Sequence, residues 1–196
     1  MRKRTERPRA ITDEQIIELY WKREESAIQE TDKKYGKLCH RIAFNILADP
    51  RDSEECVSDT YLKAWSVIPP KRPVKLSAFL GKITRNLALN RYEKDTAGKR
   101  GGGEVSVALD ELAECIPDPN SVEGMVANRI LTDKLNVFLE GLAPEARKIF
   151  MRRYWEVCSV RQIAEIHGIS ESKVKVSLFR TRGKLRTFLE QEGIAL

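Results

Sequence analysis

Apolar residues recur along most of the chain at spacings of three and four, and strand-like alternation is nearly absent. That period belongs to the α-helix. From Asp13 to Leu47 the residues Ile16, Ile17, Leu19, Tyr20, Leu38, Ile42, Phe44, Ile46 and Leu47 fit two helices, and Asp49-Pro50 breaks the second. A third helix is predicted to start at Asp52-Ser53. It carries Val57, Tyr61, Leu62, Ala64 and Trp65 on its apolar side and ends before Pro69-Pro70. After the basic turn KRPVK, Ser77 is read as the cap of a fourth helix running to about Tyr92. Phe79, Leu80, Ile83, Leu87 and Leu89 are its packing residues.

The period fades from Gly101-Gly102-Gly103 through Pro117 and Pro119, which is the signature of a linker. It returns with Leu131, Leu135, Phe138, Leu139 and Leu142. Ala143-Pro144 restarts the chain, and Ile149, Phe150, Tyr154 and Trp155 mark the next helix.

The stretch from Val160 to Leu189 has the form of a helix-turn-helix. Ala164 supplies the small residue that lets two helices cross closely, and Val174 supplies a buried aliphatic. Gly168 accepts the positive φ that ends the first helix. Ser170 then caps the second through its hydroxyl. Lys173, Lys175, Arg180, Arg182, Lys184 and Arg186 follow, with Glu171 the acid nearest them at the helix start. A helix presented this way enters a major groove and neutralises phosphates.

Charge sharpens this division. The net charge is +6, which favours a polyanionic partner. It is unevenly spread. Residues 101–128 hold six acids and no Lys or Arg, whereas residues 71–100 hold nine Lys and Arg against two acids, and residues 145–190 hold eleven against five. The chain reads as all-α: two small helical domains joined by a flexible acidic linker, the C-terminal one a helix-turn-helix. The boundaries are a basic tail at 1–12, a first domain at 13–97, the linker at 98–128 and a second domain at 129–196.

No apolar run is long enough to span a membrane, and no apolar signal core follows the basic N-terminus, so a cytoplasmic protein with no membrane insertion is expected. Cys39, Cys56, Cys115 and Cys158 are scattered without a C-x-x-C pair and are read as reduced thiols rather than metal ligands. GKIT at 81–84 lacks the upstream glycine of a phosphate loop, Leu76 standing in its place. His40 and His167 make no nucleophile–base set, and His167 is read as a partly exposed helix end. No catalysis, cofactor, metal or small-molecule substrate is expected.

Two further segments carry binding chemistry. In DSEECVSDTYLKAW, at 52–65, Asp52, Glu55 and Asp59 share one helix face, and Tyr61, Leu62 and Trp65 extend a partly aromatic surface. Such a face suits a basic protein partner. In SAFLGKITRNLALNRYEK, from Ser77, the residues Lys82, Arg85, Asn86, Asn90, Arg91 and Lys94 can hold phosphates and read base edges. Phe79 or Tyr92 can stack an unpaired base, although for Phe79 a core position is favoured. A stand-alone helix-turn-helix regulator with a ligand-sensing first domain is one alternative. A nucleic-acid enzyme is another, for which Glu93 and Asp95 are too few acids to hold metal.

These segments, in this order, resemble the extracytoplasmic-function (ECF) group of bacterial sigma factors over residues 13 to 190. DSEECVSDTYLKAW is similar to the family's DAEDLVQETFLKAW-type segment, which grips the clamp helices of the RNA polymerase β′ subunit. SAFLGKITRNLALNRYEK is similar to its melting and −10-reading segment, LDELAECIPDPNSVE to its acidic linker, and the chain from LAPEARK onward to its −35-reading domain. Phe79 stands where the family often has Trp, Asn90 where it often has Asp, and Glu55 replaces a common Asp. The resemblance implies sigma region 2 at 13–97 and region 4 at 129–196. It places Asp52, Glu55, Asp59, Tyr61, Leu62 and Trp65 on core polymerase, and Lys82, Arg85, Asn86, Asn90 and Arg91 on the −10 side. Ser170, Glu171, Ser172, Lys173, Lys175, Ser177, Arg180 and Arg182 face the −35 element. The partners implied are core RNA polymerase, through β′ clamp helices and β flap, promoter DNA, and an anti-sigma factor. The resemblance also implies that the acidic linker threads a basic polymerase channel.

Overall fold

The computed structural model describes residues 11–96, 104–113, 115–116 and 124–194. The basic tail before residue 11, the three glycines at 101–103 and both linker prolines lie outside them. Among the described residues all regular structure is α-helical, and the chain divides into two units, 1–97 and 98–196.

The first unit holds α1 (Asp13–Trp21), α2 (Ser26–Leu47), α3 (Pro50–Val67) and α4 (Leu76–Thr96). Thr12 opens α1 with a capping box, its hydroxyl accepting from Gln15 N while the Gln15 side chain accepts from Thr12 N. The break between α2 and α3 falls at Asp49-Pro50, but α3 starts two residues before the expected Asp52. Asp49 is the cap, accepting from Asp52 N at 2.8 Å, and Pro50 takes the first helical position, where its missing N–H is no loss. Ser77 is likewise inside α4 rather than at its cap. The helix begins at Leu76, whose N–H donates to Asp13 Oδ2 at 3.3 Å, so α1 supplies the acceptor.

Helices α2, α3 and α4 pack mutually around Ile16, Tyr20, Ile42, Ile46, Cys56, Ala64, Leu80 and Ala88. Buried threonines satisfy their hydroxyls within this core. Thr31 donates to Ala27 O and meets Tyr20 Oη at 2.9 Å, and Thr60 meets Thr84 across the α3–α4 contact at 3.1 Å. Phe44, expected among the apolar positions of α2, is 40% exposed and stacks on His40.

The second unit holds α5 (Glu104–Ala113), α6 (Gly124–Gly141), α7 (Pro144–Tyr154), α8 (Val160–His167) and α9 (Glu171–Gln191). Its core gathers Phe138, Ile149, Phe150, Ile163, Val174, Leu178, Leu185 and Leu189. Helix α5 falls inside the stretch read as linker. It packs on α7, with Val105, Ala108 and Cys115 buried.

Candidate nucleic-acid and protein interfaces

The helix-turn-helix is built as its residues dictate. Ser159 and Gln162 form a capping box at the start of α8. Gly168 ends that helix at φ 62°, in the left-handed region that glycine enters without a Cβ penalty. Ser170 Oγ accepts from Lys173 N at 3.3 Å and starts α9. Ile163, Ala164 and Val174 are buried where the two helices meet. His167 is less exposed than its position suggests. Its Nδ1 lies 2.6 Å from Glu145 Oε1, and Arg152 Nε donates to its Nε2 at 3.2 Å, which ties the end of α8 to α7.

The N-terminal half of α9 presents Ser170, Glu171, Ser172, Lys173, Lys175 and Arg180 to solvent, with Ser177 half-buried beside them. Phe179 and Val176 stand among these cations, 71% and 47% exposed. Sequence patterning did not single them out, because a lone apolar residue on a basic face breaks no period. Arg182 departs from this surface. Its guanidinium turns inward, donating to Tyr154 Oη at 2.8 Å and lying 3.4 Å from Glu111 Oε2.

On the first unit the acidic face of α3 keeps Glu55, Asp59 and Leu62 exposed, Leu62 by 62%. Tyr61 is buried, and its hydroxyl donates to Asp32 Oδ1 at 2.8 Å. Burial and then that hydrogen bond raise the phenol's pKa above the usual tyrosine value, so it stays protonated. Trp65 is half-buried, edge-on to Tyr20 at 6.1 Å, with the Arg23 guanidinium 5.3 Å from its ring.

Helix α4 presents Lys82, Asn86 and Asn90 four residues apart on one exposed face. Arg85 is half-buried, and burial lowers its pKa. Arg91 joins the two candidate surfaces. It donates from Nη2 to Asp52 at 2.6 Å and from Nη1 to Glu55 at 2.8 Å. A cation read as a −10 contact and two acids read as polymerase contacts thus form one cluster. Phe79 is half-buried.

The four cysteines are buried. Burial pushes the Cys56 thiol up to about 11, away from reactive thiolate. Among the described residues no group of His, Cys, Asp and Glu is arranged to hold a metal, and no helix is long and apolar enough to cross a membrane.

Comparison with known proteins bears on both units. The family model for sigma-70 region 2 matches residues 32–97, and that for sigma-70 region 4 matches residues 133–185. The ECF RNA polymerase sigma factor SigL of Mycobacterium tuberculosis is 25% identical over 165 residues, covering 82% of this chain and 88% of its own. The RNA polymerase sigma-E factor of Streptomyces avermitilis is 29% identical over 161 residues, covering 79% and 80%. A probable RNA polymerase sigma factor of Xanthomonas campestris, RfaY, is 26% identical over 151 residues. That match covers 76% of this chain and 37% of RfaY.

Proposed function

Because the chain belongs to the ECF group of the sigma-70 family, as an alternative sigma factor in promoter-specific transcription initiation, we propose that its two units divide the work between core polymerase and the two promoter elements. The first unit docks on the β′ clamp helices through the acidic face of Asp52, Glu55 and Asp59, with Leu62 and the half-buried Trp65 as apolar anchors. Tyr61 supports that face from beneath by holding Asp32 rather than by touching the partner. Lys82, Asn86 and Asn90 take the −10 strand, with Arg85 and Arg91 at the margin of that surface. The second unit reads the −35 major groove with Ser170, Glu171, Ser172, Lys173, Lys175, Ser177 and Arg180.

The observation that carries this reading is the helix-turn-helix itself, with its left-handed Gly168, its Ser170 cap and a cationic, solvent-facing start to α9. A groove of about 580 Å³ runs from Val137, Phe138, Leu142 and Phe188 to Lys173, Ser177 and Arg180 of that surface. Neither unit needs high affinity alone, since tethering turns the second contact into an intramolecular one. No side chain is assigned a catalytic role, the site of action is the cytoplasm, and an anti-sigma factor would compete for the same two surfaces.

Run-off transcription from fragmented genomic DNA, with core polymerase alone and with this protein added, tests the reading. Discrete promoter-specific transcripts that need the added protein are expected. Their absence from every template would overturn it. A tight, dimeric operator complex formed without polymerase would favour a stand-alone regulator instead.

A further inference from the structure

Arg91 stands where the two candidate surfaces of the first unit meet. It leaves α4 one residue after Asn90, which faces solvent with Asn86 and Lys82. Its guanidinium reaches instead onto the first turns of α3. Nη2 donates to Asp52 Oδ1 at 2.6 Å, and Nη1 donates to Glu55 Oε2 at 2.8 Å. Two carboxylates thus hold one cation, and the charge of Asp95 on its own helix bears on it as well.

The helices that carry these groups are fixed against each other. Ser53 on α3 and Ala88 on α4 are fully buried, and Thr60 meets Thr84 across the seam at 3.1 Å. The charged side chains are much freer. Arg91 and Asp52 keep 33% and 31% of their side chains exposed, and Glu55 keeps 60%. Ion pairs this open to water are weak and exchange partners readily.

Electrostatics then gives the free and the docked chain different surfaces. A phosphate passing Asn90 in the free chain meets a cluster in which the carboxylates outweigh the guanidinium. Basic groups of a protein partner seated on Asp52 and Glu55 reverse that balance. They neutralise the acids and leave the guanidinium's charge to the strand. No helix has to move for this to happen.

We propose that Arg91 couples docking on core polymerase to −10 affinity: the acids of α3 mask it in the free chain, and a basic partner on those acids unmasks it. This rests on the reading of α3 as the polymerase face and of the exposed side of α4 as the −10 face. Such coupling is reciprocal, so a bound −10 strand strengthens the grip on polymerase by the same factor.

The test measures binding of the full-length chain, free and with saturating core polymerase, to a labelled single strand carrying a −10 element. A scrambled strand is the reference, and low salt keeps the free chain's binding measurable. In the free chain Glu55→Gln should tighten binding to the −10 strand about threefold, the scale of one exposed ion pair. Glu54→Gln removes the same charge from an exposed neighbour whose carboxylate is not bonded to Arg91, and should have no such effect. The gain from Glu55→Gln should vanish in an Arg91→Gln background. Arg91→Gln by itself should leave the free chain within about twofold of wild type, yet weaken the polymerase-bound chain roughly tenfold, the size of one charge-assisted hydrogen bond. Equal effects of Glu54→Gln and Glu55→Gln, or equal losses from Arg91→Gln with and without core, overturn the proposal. A polymerase-bound wild-type chain that does not distinguish the −10 strand from the scrambled one defeats the parent reading instead. The free-chain comparison of Glu54→Gln with Glu55→Gln would still report whether Arg91 is masked.

Discussion

Single side chains tie the helices of the first unit together, and Asp13 is the clearest of them. Its Oδ1 accepts from Lys34 Nζ at 2.6 Å and Tyr35 Oη at 2.5 Å on α2, and its Oδ2 from the first N–H of α4. Three helices meet on one carboxylate. Partial burial pushes its pKa upward, but Lys34 and Tyr35 more than reverse that, so the folded-state value lies below the ordinary 3.8. A depressed carboxylate pKa stabilises the fold above the unfolded-state value and loses that contribution as pH falls through the folded one. Asp13→Asn should therefore cost about 1–2 kcal/mol at neutral pH, the range for a charge-assisted hydrogen bond with partial solvent screening. The gap from wild type should narrow as the pH is taken well below 3.8. Urea denaturation of both proteins at pH 7 and at low pH checks it, and a gap independent of pH would mean that the charge is immaterial. Arg153 plays the corresponding role in the second unit with far less exposure to water.

At the level of elements, the sequence was legible wherever a helix end used the usual residue types. Gly168 and Ser170 were readable because glycine at a left-handed position and serine at a cap are the cheapest solutions. Other ends carry no such mark. Ala48 closes α2 at φ 55° and Val157 follows α7 at φ 53°, and neither residue type announces a left-handed turn. The start of α3 lies ahead of the expected Asp52 for a related reason: Asp49-Pro50 signals both a break and a cap. These ends give paired predictions. Gly168→Ala should destabilise the second unit by about 1 kcal/mol, the cost of a Cβ in the left-handed region. Ala48→Gly, at an exposed position, should stabilise the first unit by a similar amount. Thermal unfolding of each variant decides, and a shift of the opposite sign in either would contradict the φ assigned there. Helix α5 is not legible in the sequence because its acids and its neighbouring glycines and prolines outweigh two apolar residues three apart, Val105 and Ala108.

For the whole molecule, charge is partitioned between partners, and the partition is coupled. The candidate DNA faces are basic, and the candidate polymerase face of α3 is acidic, yet Arg91 spans from one to the other through Asp52 and Glu55. The order of surfaces along the chain was readable from composition. The cross-helix pairing was not, because Asp52 and Arg91 are 39 residues apart and meet only when α3 packs on α4. Asp59 stands on the same acidic face and is exposed. Asp59→Arg should weaken binding to core polymerase at least tenfold, a reversed charge within an electrostatically complementary interface costing on the order of 1.4 kcal/mol or more. The second unit's affinity for −35 duplex should be unchanged. Pull-down with core polymerase and a duplex-binding titration separate the two effects, and intact core binding would remove α3 from that interface.

The seat of α5 bears on how such proteins can be recombined. A chimera that grafts this −35 specificity onto another sigma factor is most simply cut at residue 129, where the run without Lys or Arg ends. That junction leaves Glu111 behind and separates it from the buried Arg153 to which it is paired at 2.8 Å. Moving the cut upstream of Glu104 carries helix, carboxylate and guanidinium across as one heritable block. The smallest portable −35 module of this chain therefore begins in its acidic stretch, some two dozen residues ahead of where its composition says to cut.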